Sequence, residues 1–244
     1  MDAVAVIVPA HNEEQLIGAC LESIDIAARA ARAVGPSVGV WVVLDACTDR
    51  SATIAADAGV NLLAVNARSV GAARAAGVGA ALERFADLPS DRVWTAHTDA
   101  DSVVPANWLT HQLRLARRRA DVVVGTVRPD FRDLDPEQTE AWWATHTPGV
   151  ANGHVHGANL GIRASALLDA GGFADATVHE DVWLVDEIRA RGGRLSATDA
   201  AWVRTSGRQI GRAPGGYARY LREDLVPLAD ATRGLHPAEN AAAG

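Results

Sequence analysis

Seven segments within residues 3–97 alternate between two hydrophobic periods, and this alternation leaves few architectures open. Residues 3–8, 38–44, 60–65 and 92–97 are short apolar runs. Between them, 14–34, 50–58 and 69–85 carry apolar residues at helical spacing, and Gly35-Pro36 punctuates the first return. The resulting βαβαβαβ string predicts an α/β fold, with a mostly parallel sheet, right-handed crossovers and flanking helices. Such sheets take ligands at the carboxyl ends of their strands, so the polar residues after each strand carry the chemical information.

The second half is less regular. Helices are expected at 107–119, 136–147, 164–170 and 180–191, strands at 121–128 and near 200–205, and a last helix at 216–231 before a frayed tail. Residues 154–162, with Gly153, Gly157 and Gly161 nearby, read as a close-approach loop or an edge strand. No repeat or linker interrupts the 244 residues, so one domain over 1–244 is expected.

Charge and residue usage remove several classes of function. The formal net charge of −7 leaves no basic excess for a polyanion, and nucleic acid is not an expected partner. All 23 basic residues are Arg; without Lys there is no Schiff base, no anchored pyridoxal phosphate and no P-loop lysine. Cys20 and Cys47 supply neither a disulfide framework nor zinc spacing. The N-terminal stretch MDAVAVIVPAHNEE has no basic leader region, and no run of about 18 apolar residues occurs. A cytoplasmic chain without a membrane-spanning segment is expected.

The first strand runs into Pro9-Ala10-His11-Asn12-Glu13-Glu14, where Asn12 can cap the following helix and the glutamates can complement its dipole. Asp45 ends the second strand with no evident helix of its own to cap, so its carboxylate is a candidate for a base or ribose contact. After the third strand, ARSVGAARAAG offers small residues at a helix start together with Arg68 and Arg74. These would suit either a phosphate or a tightly packed helix with solvated arginines. The fourth strand ends in His97-Thr98-Asp99-Ala100-Asp101. Two carboxylates so close must be solvated separately, protonated or shared by a cation, and oxygen-only ligands favour Mg²⁺ or Mn²⁺. His97 itself reads as packing. Glu180-Asp181 opens a helix, as dipole-complementing caps do. Core packing is expected of Trp142, Trp143 and Trp183, with sugar stacking or lipid contact the alternative. Arg117-Arg118-Arg119 reads as a solvated helix end, or else as a contact to a membrane surface or an anionic acceptor.

The order of PAHNEE, LDACTDRS, ARSVGAARAAG, TDAD, HGANLGIRASALLDAGGF and HEDVWLVDEIRARGG resembles the inverting GT-A glycosyltransferases of family 2, over about residues 3–212. The resemblance implies a GT-A, Rossmann-like fold with a nucleotide-binding half over about 1–101. An acceptor half would cover about 102–212 and a C-terminal helix and tail 213–244. It implies a transferase moving a sugar from a nucleoside diphosphate, expected to be UDP-linked, to an acceptor hydroxyl. Pro9, Glu13 and Asp45 match base and ribose contacts, Arg74 a diphosphate contact and Asp99 the donor side. Asp101 matches the metal ligand for Mg²⁺ or Mn²⁺, Asn159 and Glu180 the acceptor side, and Asp181 the general base. Arg208, in Thr205-Ser206-Gly207-Arg208, matches a diphosphate clamp in a flexible segment. The sequence departs from the pattern at Ala46, where a second aspartate is common. A metal-supporting histidine has only His179 and His236 as candidates. The rivals are a sugar-phosphate nucleotidylyltransferase, which would need a glycine-rich loop and lysine near the first strand, and a non-catalytic binding protein on the same fold.

Overall fold

Strand β1 (Ala3–Ala10) is apolar throughout and almost wholly buried, the signature of a strand covered on both faces. Alternate residues serve two cores. On one face Val4, Val6 and Val8 meet α1 (Ile17–Arg32) and α4 (Trp108–Arg117). On the other, Ala5 and Ile7 meet α3 (Val70–Arg84) and α7 (Glu180–Ala190). The buried face of α1 is Ile17, Cys20, Leu21, Ile24, Ala27, Ala28 and Ala31, an i, i+3, i+4 stripe. Gly77 lets α3 approach closely, since a Cβ there would stand 2.8 Å from methyls of both Ile7 and Val43.

The computed structural model describes residues 1–211 and 215–235, with side chains to 231. The expected tail and His236 lie outside the described residues. Two compact units emerge: Met1–Arg128 with Ala151–Thr205, and Pro129–Val150 with Ser206–Gly244.

In the first unit, β2 (Ser37–Asp45), α2 (Ser51–Asp57), β3 (Asn61–Val65), β4 (Val93–His97) and β5 (Ser102–Val103) follow, and then β6 (Val122–Pro129), β7 (Leu160–Arg163), α6 (Ala164–Asp169) and β8 (Leu195–Thr205). They form one mixed sheet in the order β3-β2-β1-β4-β7-β6-β8-β5. The pairs β1–β2, β2–β3 and β1–β4 are parallel, as the βαβαβαβ string requires. Beyond β4 the pairs β4–β7, β6–β7 and β5–β8 are antiparallel. This is the Rossmann-like α/β class with helices on both faces.

Two local expectations need correction, and one short strand was not expected. Of residues 154–162, 154–156 are irregular and 157–159 form a 3-10 turn, as a loop requires, but the strand that follows, β7, is interior between β4 and β6 and not an edge. Its Gly161 is there for packing, because a Cβ would strike the hydrogen-bonded Trp94 and Gln112 side chains. Helix α1 starts at Ile17 rather than near Glu14, since a turn in which Glu13 O accepts from Leu16 N and Ile17 N comes first. Strand β5 is too short to show a period. Its pairing of Ser102 with Thr205 is a tertiary effect that sets Asp101 beside β8.

The second unit is helical. α5 (Pro136–Thr145) opens with a reciprocal capping box between Asp135 and Gln138 and has proline in its first turn. α8 (Tyr217–Arg219) runs through a π-helical turn (Tyr220–Asp224) into α9 (Leu225–Leu235). Trp142, Leu221, Leu225 and Ala229 form the core of this unit.

Candidate active site

The strand order 3-2-1-4 reverses direction between β1 and β4, and an α/β sheet offers its binding crevice at the carboxyl ends of such a pair. The loops there are tied together by side chains accepting backbone N–H groups. Asn12 does not cap α1. From a left-handed φ of 54° its Oδ1 accepts from Thr48 N at 2.7 Å and Asp49 N at 3.3 Å. In return Asp49 accepts from Glu14 N, and Ser51 Oγ from Glu13 N, at 2.9 and 2.8 Å. Glu13 is buried within this tie. Pro9 stands past Ile7↔His97, the last β1–β4 pair, so its missing N–H removes no bond to β4.

Asp45 does have a helix to serve. Its carboxylate, 5% exposed, accepts from Ala67 N and Arg68 N at 2.8 Å and from Ser69 N at 2.9 Å, fixing the loop that leads into α3. The link is long-range, which is why local reading missed it. The α3 N-terminus is committed internally as well. Ser69 Oγ takes the Ala72 N–H, and Gly71 N donates to Ala176 O at 3.0 Å. Gly71 is small because a Cβ would collide with Ala174 O. Gly71 therefore serves packing against 174–176, and the amides of Ser69, Gly71 and Ala72 are taken within the protein.

Arg74, the fourth residue after Val70 on α3, is 3% exposed. One terminal nitrogen pairs with Asp99 Oδ1 at 2.6 Å and the other with Glu180 Oε1. Its guanidinium carbon lies 5.9 Å from the Phe173 ring centroid. Burial works against the charge, but Asp99, Glu180 and Asp181 outweigh it and hold the guanidinium pKa above its ordinary value. Glu180, at 3% exposure, is pushed up by the loss of water, with Arg74 opposing. The expectation that Arg74 presents a free fork to a diphosphate gives way to a buried bridge between two carboxylates.

The Asp99/Asp101 pair is split. Asp99 faces Arg74, whereas Asp101 Oδ1 is approached by the hydroxyls of Thr205 at 3.3 Å and Ser102 at 3.4 Å. At the start of α7, Asp181 Oδ2 accepts from Gly157 N at 2.5 Å and Oδ1 from Val182 N at 2.8 Å. Arg74, Asp99, Glu180, Asp181 and Gly157 thus form one continuous cluster, with Asp101 two residues from Asp99. His179, the residue before α7, is exposed with a φ of 63°. Among the described residues, no three His, Cys, Asp or Glu side chains gather as a metal-binding group. His97 packs edge-on to Phe173, and burial, then Arg74, holds its pKa well below 6.5.

Asn159 is placed differently from its acceptor-side expectation. At 2% exposure its Oδ1 accepts from Trp108 Nε1, and its Nδ2 donates to Thr126 O and Ala201 O, all at 2.9 Å. It ties α4, β6 and β8 together in the core. Arg208 belongs to the second unit, where its N–H donates to Ser206 Oγ at 3.2 Å. Core packing holds for Trp142 but not for Trp143 and Trp183, which are 45% and 56% exposed. Arg117, Arg118 and Arg119 are exposed, as a solvated helix end requires. No helix among the described residues is long and apolar enough to cross a membrane. The sequence marked Gly157 only as a close-approach glycine and Thr205 only beside Arg208, and gave Phe173 no signal of its own; the tertiary fold brings all three to the acidic cluster.

The fold is shared with solved glycosyltransferase structures. S. aureus TarS in complex with UDP-GlcNAc is 15% identical with a TM-score of 0.62, over 94% of this chain and 66% of that one. The mannosyltransferase PcManGT from Pyrobaculum calidifontis, in complex with GDP-Man and Mn²⁺, is 22% identical with a TM-score of 0.60, over 98% and 76%. Another S. aureus TarS structure is spanned to 60% of its length, so the chain covers less than two thirds of these TarS chains. No curated protein matches the sequence. The glycosyl transferase family 2 model matches residues 5–165, which run from within β1 through β7 and include the Asp99-Ala100-Asp101 turn, and the chain belongs to that family.

Proposed function

We propose that the first unit is a metal-dependent, inverting glycosyltransferase site, taking a sugar from a UDP-linked donor to an acceptor hydroxyl. The observation that carries this reading is the gathering of Asp99, Glu180 and Asp181 about one buried guanidinium at the β1/β4 crevice, with Asp101 two residues beyond Asp99 on the same turn. Inverting displacement needs charge stabilisation at the leaving diphosphate and a proton acceptor on the opposite side of the sugar. Carboxylates reaching the crevice from two elements, the β4 end and the α7 start, supply both kinds of group.

Family membership and the fold shared with a GDP-Man and Mn²⁺ complex support a nucleotide-sugar donor and a divalent ion. The donor set around Asp101 fits Mg²⁺ or Mn²⁺. It is oxygen only, carboxylate and hydroxyl, and such ions are characteristically held by one or two carboxylates and complete their shell with water and substrate phosphates. When bound, the ion would neutralise charge building on the diphosphate. Asp181, whose two oxygens already orient on backbone N–H groups, keeps lone pairs to take the acceptor's proton. Glu180 faces Arg74 and sets the acceptor side only through α7. Pro9, Glu13 and Asp45 shape the base side through the tied loops.

Calorimetric titration of UDP, GDP and dTDP with Mn²⁺, with chelator, and against Asp101→Ala tests the proposal. UDP should bind with metal, and its affinity should fall by at least about tenfold in either control, roughly 1.4 kcal/mol. Equal affinity in all three conditions would remove Asp101 and the metal from the site.

A further inference from the structure

We infer, on the reading just given, that Arg74 is a positioning residue: its guanidinium bridges the end of β4 to the start of α7 and so fixes where the proposed base, Asp181, stands relative to the metal-bearing turn. It is not a ligand for the diphosphate. Both terminal nitrogens are engaged, one by Asp99 and one by Glu180, on elements 81 residues apart in sequence if counted from 99 to 180. The Nε is buried without a hydrogen-bond partner, in a side chain only 3% exposed. Gly157 lies against the guanidinium so closely that an added Cβ would strike Cζ and both terminal nitrogens, which closes that side to any ligand atom. The same Gly157 donates its N–H to Asp181 Oδ2. The guanidinium, the 157 backbone and the Asp181 carboxylate are therefore in direct succession, and a shift of the first is passed to the third.

A planar fork is required for this task. It holds two carboxylates from two directions at once, which the single ammonium of lysine does not reproduce in the same geometry. The succession also accounts for a glycine at 157, where the φ does not call for one.

The test uses Arg74→Gln, Arg74→Lys, Glu180→Gln and the double variant Arg74→Gln/Glu180→Gln. Arg74→Gln alone strands a buried carboxylate and should melt early; the double variant neutralises that carboxylate and should recover most of the melting midpoint. Two readouts follow on the double variant. Amide hydrogen exchange at Gly157 and Val182, the two donors to Asp181, should accelerate by at least about tenfold over Glu180→Gln. Turnover of a UDP-sugar, read as donor hydrolysis, should fall about 10²-fold, the order expected when a reacting group is misplaced by about 1 Å, while UDP affinity with Mn²⁺ stays within about threefold of wild type. Arg74→Lys should not restore turnover. Unchanged exchange at Gly157 and Val182 overturns the inference, as does a UDP affinity that falls in step with turnover, which would make Arg74 a direct diphosphate contact. Turnover that recovers with stability in the double variant also overturns it, leaving Arg74 a purely structural ion pair. If the wild-type protein binds no nucleoside diphosphate, the functional reading fails by itself, and the exchange rates still decide the positioning role.

Discussion

Replacing Asp45 by Ala should destabilise the first unit before it does anything to a ligand. The carboxylate takes three backbone N–H groups, those of Ala67 and Arg68 at 2.8 Å and of Ser69 at 2.9 Å. Ala67 and Arg68 are exposed, so in the variant their amides can turn to water and forfeit about 1 kcal/mol or less each. Ser69 is buried, and its orphaned N–H should cost about 1–3 kcal/mol. The sum is roughly 1–5 kcal/mol, with a further small loss if Ser69 no longer caps α3 through Ala72 N. Asp45→Asn keeps one acceptor oxygen and should fall about halfway. Urea unfolding followed by tryptophan fluorescence, with m held constant, reads the difference directly. A loss under about 0.5 kcal/mol in Asp45→Ala would refute the loop-fixing role and return the carboxylate to the list of direct base contacts.

Two further outcomes follow from buried groups. Asn159→Ala should lower stability by roughly 3–5 kcal/mol in the same urea assay, because Trp108 Nε1 and the carbonyls of Thr126 and Ala201 lose their partner inside the core; a change below about 1 kcal/mol would leave room for a ligand-facing Asn159. His97 is held neutral in the folded protein, chiefly by burial, while the unfolded chain takes a proton below the ordinary value of 6.5. Its contribution is therefore complete above that pH and drains as pH falls, by up to about 1.4 kcal/mol per pH unit. Between pH 6.5 and about 5, His97→Phe should have a shallower dependence of unfolding free energy on pH than wild type, and identical slopes would show that His97 does not titrate differently in the two states.

Much of this fold is local and was legible. The apolar runs at β1, β2 and β4 and the helical stripes between them state their own periods, and the parallel order follows from crossover geometry. What was not legible depends on partners distant in sequence. Asp45 looked free because its three donors lie 22 to 24 residues away, across β3. Asn12 looked like a cap for its own helix but serves the loop after β2. Arg74 looked like a solvated or phosphate-facing arginine, since nothing in ARSVGAARAAG announces Glu180, 106 residues on. β7 was misread because glycine signals close approach without saying whether it is to a ligand or to Trp94. The acidic turn after β4 and the acidic start of α7 were both found from sequence, but only the fold shows that one guanidinium joins them.

Asp181→Asn separates the proposed removal of the acceptor's proton by Asp181 from a purely structural role. The amide retains one of the two oxygens that accept from Gly157 and Val182, so the fold should weaken by no more than about 1 kcal/mol. Once a sugar acceptor is in hand, the transfer rate and the affinity for the donor are measured on the same preparation of folded variant. Transfer should be lower by about 10² to 10⁴-fold with donor affinity little changed. Transfer at a near wild-type rate would contradict the proposed proton removal, and would leave Asp181 as the residue that merely steadies the Gly157 backbone at the start of α7.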